Sequence, residues 1–170
     1  ALEADRYYRH VTFALVPLLW GAFIYAAWFS QTAAPGWAGQ LGLILATGGV
    51  GGFCINLGHE IGHKHTPLER WLAKLILAPT LYGHFTIEHN RGHHRDVATP
   101  QDPASARMGE SIWAFVQREM PGAWRRAWAL ERERLRTSGL DRWSWHNAIL
   151  QPLAISALLW GGLCLWLGPQ

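Results

Sequence analysis

Three apolar runs without a single charge organise the chain: Val11 to Phe29, Trp37 to Leu57 and Ala148 to Gly168. At ~1.5 Å of rise per residue, each is long enough as an α-helix to cross a hydrocarbon core of ~30 Å. One such run fits a buried helix of a soluble protein; three together predict membrane spans. A fourth apolar stretch, Trp71 to Tyr82, would reach only about 18 Å as a helix, and it carries Lys74 and Pro79. It is expected to be a re-entrant or interfacial helix, entered by a turn at Pro67. The pattern changes across residues 111–142. Trp113, Phe115, Trp124, Trp128 and Leu135 alternate with Arg118, Arg125, Arg126, Arg132, Arg134 and Arg136. This reads as an amphipathic cytoplasmic region near lipid headgroups, helical and interrupted at Pro121-Gly122. The predicted fold is all-α, a polytopic transmembrane helix bundle with a cytoplasmic histidine-rich metal site, in a single domain over residues 1–170.

Composition agrees once segregation is considered. Hydrophobic residues make up 49% of the chain and charged ones 16%, against about 25% charged in an average soluble domain. The mean hydropathy of -0.01 averages apolar spans with a charged middle. The 11 tryptophans suit bilayer interfaces. Arg6 and Arg9 precede the first run, every other Lys or Arg falls between Lys64 and Arg142, and the Ser30–Gly36 turn has none. The positive-inside rule then puts the histidine-bearing ends in the cytoplasm and the Ser30–Gly36 turn outside. The third span is expected to leave the cytoplasm near Trp145 and to end outside near Pro169. Cys54 and Cys164 read as buried free thiols. Residues Ala1 to Arg6 show no signal-peptide pattern, and the missing initiator Met suggests part of a longer chain. The arginines favour lipid over nucleic acid as a partner.

Candidate chemistry lies in two blocks, His59-Glu60-Ile61-Gly62-His63 and His89-Asn90-Arg91-Gly92-His93-His94. Neutral imidazole is a common metal ligand, and neither block holds a cysteine. His59 and His63 are four apart and share a helix face, as do His89 and His93. His94 is rotated about 100° from His93 on a regular helix, so the second block is expected to straddle two metals. The first block alone also fits a zinc protease, H-E-x-x-H with Glu60 as base, but five histidines exceed the three ligands that such a zinc needs. Glu60 and Glu88 are candidate ligands or acceptors orienting a ligand ring. Asn56, Asn90, Asp96 and Asp102 are further acceptors of that kind. His84 is placed to flank the site. Gly42, Gly48, Gly49, Gly51, Gly52 and Gly58 allow either close helix packing or a groove for a long apolar substrate.

Asn56 to Lys64 resembles the first histidine box of the integral-membrane alkane hydroxylases, and Glu88 to His94 resembles their second. Val97 to Ala104, with Arg107, Gly109 and Glu110, is similar to the stretch that follows that box. The resemblance implies a non-haem di-iron monooxygenase of the bacterial inner membrane. Such an enzyme hydroxylates the terminal C–H of an alkane with dioxygen and takes electrons from rubredoxin and its NADH-dependent reductase. It places His59, His63, His89, His93 and His94 on two irons. Related membrane fatty-acid desaturases and hydroxylases share the H-x3-H spacing, and xylene monooxygenases share the longer strings. A metal-binding or transport protein is the non-catalytic alternative. The family's downstream histidines, a single one in an N-Y-x-E-H-like string and an H-x-x-H-H box, do not occur here. Residues 1–170 alone are therefore expected not to hold a stable di-iron centre or turn over. Arginines among Arg118, Arg125, Arg126, Arg132 and Arg134 are expected to help dock an acidic electron carrier.

Overall fold

The computed structural model describes residues 6–168, so the expected exit near Pro169 and the leader reading of Ala1 to Asp5 lie outside the described residues. Among the described residues all regular structure is helical. The elements are α1 (Arg6–Thr32), α2 (Trp37–Gly62), α3 (Pro67–Leu77), α4 (Phe85–Glu88), a π-helical turn (His89–His93), α5 (His94–Asp96), α6 (Ile112–Thr137) and α7 (Leu150–Leu167). They form two compact units. The first holds the chain up to Tyr82 and from Leu153 onward; the second runs from Gly83 to Pro152.

In the first unit α1, α2 and α7 are each long and apolar enough to cross a membrane. Only 17% of each most apolar window is buried, so those side chains need lipid or further protein around them. α2 outruns its uncharged stretch and carries His59 in its last turn. α3 begins earlier and stops sooner than expected. Pro67 suits the first helical position, and Thr66 and Glu69 form a reciprocal capping box ahead of the apolar residues. Pro79, lacking an N–H, ends the helix soon after Leu77.

The carbonyls at and just beyond the end of α3 take side-chain donors from neighbouring helices, Leu75 O and Ala78 O in addition to a backbone N–H each. Leu75 O accepts from Trp20 Nε1 at 2.8 Å, Ala78 O from Ser156 Oγ at 2.7 Å, and Pro79 O from Trp160 Nε1 at 3.2 Å. α3 is thereby tied to α1 and α7. Its other side meets α2 at Gly58, where a Cβ would lie 2.6 Å from Leu77 Cδ2. Close packing is thus seen at Gly58, whereas Gly42, Gly48, Gly49 and Gly52 face open space. Cys54 is buried, but Cys164 is exposed, contrary to expectation, because its stretch of α7 meets few described residues.

In the second unit α6 is continuous through Pro121 and Gly122, correcting the expected interruption. Pro121 removes the donor to the Gln117 carbonyl, but both residues are exposed, so water can serve that carbonyl. The buried stripe of α6 is Ala123, Ala127, Glu131 and Leu135, not its tryptophans. Gly122 lets the helix approach the preceding loop, where a Cβ would sit 2.7 Å from Pro103 Cβ.

Candidate metal centre

His59 and His63 close the end of α2. Their Nε2 atoms are 3.2 Å apart and their rings are nearly perpendicular, at 89°. Two nitrogens each about 2.1 Å from one ion stand about 3.0 Å apart at a right angle and about 3.4 Å at the tetrahedral angle. The pair therefore has the spacing of two ligands on one metal. Glu60 turns away, with its side chain 57% exposed and paired to Lys64 at 2.9 Å. That placement gives no support to a general base beside the pair. Asn56 is also exposed. A cavity of about 510 Å³ opens beside His63, lined by Tyr8, Phe13, Ile61 and the Arg9–Glu69 ion pair at 2.9 Å. Burial pushes the Glu69 carboxyl up, but hydrogen bonds from Thr66 and the Arg9 charge outweigh this and leave it lowered.

The second block departs from a regular helix. Residues His89–His93 form a π-helical turn, whose wider winding favours i,i+5 over i,i+4 neighbours. His94, not His93, therefore meets His89, with Nε2 atoms 3.0 Å apart and rings at 89°. This too matches two ligands at about a right angle. The expected His89–His93 pairing gives way to stacked rings with centroids 5.4 Å apart.

His93 is held separately. Its Nδ1 lies 2.8 Å from Asp102 Oδ2, and the Asp102 side chain is fully buried. With the carboxylate ionised, the proton belongs on Nδ1 and Nε2 is left as the metal-binding atom. Asp102 also accepts from Ser105 Oγ at 2.5 Å and Ala104 N at 3.1 Å. Burial raises its pKa, but these donors prevail and the net shift is downward.

Arg126 of α6 completes the support. It donates to Gly92 O at 2.9 Å and Gln101 O at 3.2 Å, reaches Asp102 Oδ1 at 3.4 Å, and pairs with Asp96. Gly92 makes room for it, since a Cβ there would lie 3.0 Å from Arg126 Nε and 2.9 Å from Glu88 Oε1. Glu88 is buried beside this guanidinium, 3.6 Å away, and burial raises its carboxyl pKa. Its Oε1 has no hydrogen-bond partner among the described residues, which suits a group facing a cation.

Arg91 anchors the π-turn from its other side, donating to Glu131 Oε2 at 3.1 Å and to Leu130 O at 3.2 Å. Glu131 is fully buried and also accepts from Arg134 and Ala148 N. Asn90 is exposed. His84 is buried edge-on against Trp124, with centroids 4.8 Å apart, and burial lowers its pKa to about 4, so it is neutral at pH 7.

Arg126, Glu131 and Arg91 were not singled out from the sequence as supports of the site. Three arginines expected to face an electron carrier are engaged internally: Arg118 with Glu110, Arg126 with Asp96 and Asp102, and Arg134 with Glu131. The buried carboxylates Asp102 and Glu131 require a cation beside them, and Arg126 and Arg134 are among those used.

A helical membrane protein with two close histidine pairs and a carboxylate-oriented histidine is the class so defined. The chain matches the fatty acid desaturase family over residues 35–170 and belongs to that family. It is 50% identical over 169 residues to an alkane 1-monooxygenase of Pseudomonas putida, covering 99% of this chain and 42% of that protein. It is 51% identical over 168 residues to alkane 1-monooxygenase 1 of Alcanivorax borkumensis, again 99% and 42%. A third alkane 1-monooxygenase, from Ectopseudomonas oleovorans, is 50% identical over 169 residues with the same coverage. The chain thus spans about two-fifths of the length of these relatives.

Proposed function

We propose that this chain is part of a membrane-bound di-iron monooxygenase that hydroxylates the terminal carbon of an alkane. The carrying observation is the ligand-like geometry of both histidine blocks, with Nε2 separations of 3.2 and 3.0 Å and His93 oriented by buried Asp102. The alkane 1-monooxygenases it resembles name the substrate class. His59 and His63, with His89, His93 and His94, are the proposed ligands. Glu88 is a candidate further ligand, and Asp102 orients His93.

An alkane offers no charge, hydrogen-bonding group or acidic proton. Acid–base and nucleophilic groups have nothing to act on, and two non-haem irons, when bound, supply the oxidising power. The chain's own residues fix the ligand rings, hold the His93 proton on Nδ1 and keep apolar surface near the site. Rubredoxin, reduced by its NADH-dependent reductase, is the proposed donor of the electrons used with dioxygen. The site is placed on the cytoplasmic side of the bacterial inner membrane, so substrate arrives from lipid and electrons from water.

Metal analysis of the full-length protein in detergent tests this, with and without alanine at His89, His93 and His94. We expect two irons per chain, lost on replacement, and octane hydroxylation dependent on reduced rubredoxin. A single zinc, lost only with His59 or His63, would instead support a membrane metalloprotease.

A further inference from the structure

Most arginines of the second unit pair with a carboxylate: Arg91, Arg95, Arg118, Arg126, Arg134 and Arg136 each do. Arg125, Arg132 and Arg142 make no side-chain hydrogen bond or ion pair among the described residues, although Arg132 lies near Glu133, which Arg136 holds at 2.7 Å. These three line one cleft of about 350 Å³ with Trp124, Trp128 and Trp143. The indoles stack edge to face, with centroids 6.0 Å apart for Trp124–Trp128 and 5.8 Å for Trp128–Trp143. The Arg142 guanidinium lies 5.5 Å above the Trp143 ring. Among the described residues, no acidic side chain lines the cleft.

We propose that this cleft binds the phosphate of an anionic phospholipid headgroup. Three arginines without a carboxylate partner line a space at the small end of ligand pockets, and guanidinium is suited to phosphate. Tryptophan presents an apolar ring with an N–H donor, the combination favoured at the headgroup level. The chain itself points to lipid: Arg142 and Trp143, with exposed Trp145, precede the start of the apolar α7 at Leu150. A folded acidic protein would need about 800 Å² of surface on each partner, far more than a headgroup-sized cleft offers. The inference does not depend on the metal centre.

The test is native mass spectrometry of the full-length protein in detergent, titrated with phosphatidylglycerol or phosphatidylcholine. We expect retention of phosphatidylglycerol about tenfold above phosphatidylcholine, falling as salt rises. Triple replacement R125Q/R132Q/R142Q should abolish the preference, while lysine at the same positions and R136Q alone should keep it. Equal retention of the two lipids overturns the proposal, as does a preference that survives the glutamine replacements. An acidic soluble protein that binds the wild type, is lost in the glutamine variant and displaces no phosphatidylglycerol would also overturn it, assigning the cleft to a protein partner.

Discussion

At the scale of single residues, two of the buried carboxylates of the second unit, Asp102 and Glu131, have separable tasks. Asp102 meets the ring nitrogen of His93 opposite the proposed metal-binding atom, so its charge sets the ring's tautomer and orientation. Asp102→Asn keeps the shape but removes the charge that Ser105, Ala104 and Arg126 also use. We expect metal affinity to fall by about 10- to 100-fold with helical content unchanged. Unaltered metal retention in a chelator competition would remove Asp102 from this role. Glu131 instead ties Arg91, Arg134 and the Ala148 amide together beneath the π-turn. Burial raises its pKa and these partners lower it more, leaving it below the ordinary value of 4.5. A depressed carboxylate stabilises the fold above its unfolded pKa, and that contribution is lost as pH falls through the folded value. Glu131→Gln should therefore cost about 1–3 kcal/mol at pH 7, since it leaves the part-exposed Arg91 and Arg134 guanidiniums without their buried carboxylate. It should also flatten the loss of stability below about pH 4.5. Denaturation at several pH values reads both, and a variant that keeps the wild-type acid slope would place the linkage elsewhere.

Elements were legible in the sequence where one rule governs them. The charge-free runs became α1, α2 and α7 because length and apolarity alone decide a spanning helix. The π-turn was not legible: i,i+4 spacing of His89 and His93 assumes regular winding, and the five-residue reach to His94 appears only once the backbone widens. α6 misled in two ways. Pro121 reads as a break, yet exposure makes its lost hydrogen bond cheap, and the conspicuous tryptophans hide a buried stripe of alanine and glutamate. The glycines of α2 were ambiguous for a similar reason, since sequence gives no direction to an absent side chain. The structure separates them. Gly58→Ala would drive a methyl to 2.6 Å from Leu77, and overpacking of this kind costs about 1–3 kcal/mol. Gly52→Ala meets nothing within 4 Å and should be neutral or stabilising by about 0.5–1 kcal/mol from helix propensity. Thermal melts of both variants in detergent give the contrast; equal losses would mean that helix packing does not distinguish the two positions.

At the scale of the whole molecule, the di-iron proposal requires the two histidine pairs to serve one centre. Each pair offers two nitrogens about a metal's right angle apart, and two ligands alone leave most of a coordination sphere open. Ligands of one centre bind cooperatively, so losing any pair removes most of the affinity and losing the second adds little. Ligands of separate sites lose metal independently, and their losses add. The proposed di-iron reading therefore makes a quantitative demand on the full-length protein. Alanine at His59 and His63, alanine at His89 and His94, and all four replacements together should each lower iron content to nearly the same residual level. If each pair instead removes about one ion and the four replacements remove the sum, the blocks serve separate metals, and a shared centre for alkane hydroxylation is lost with them.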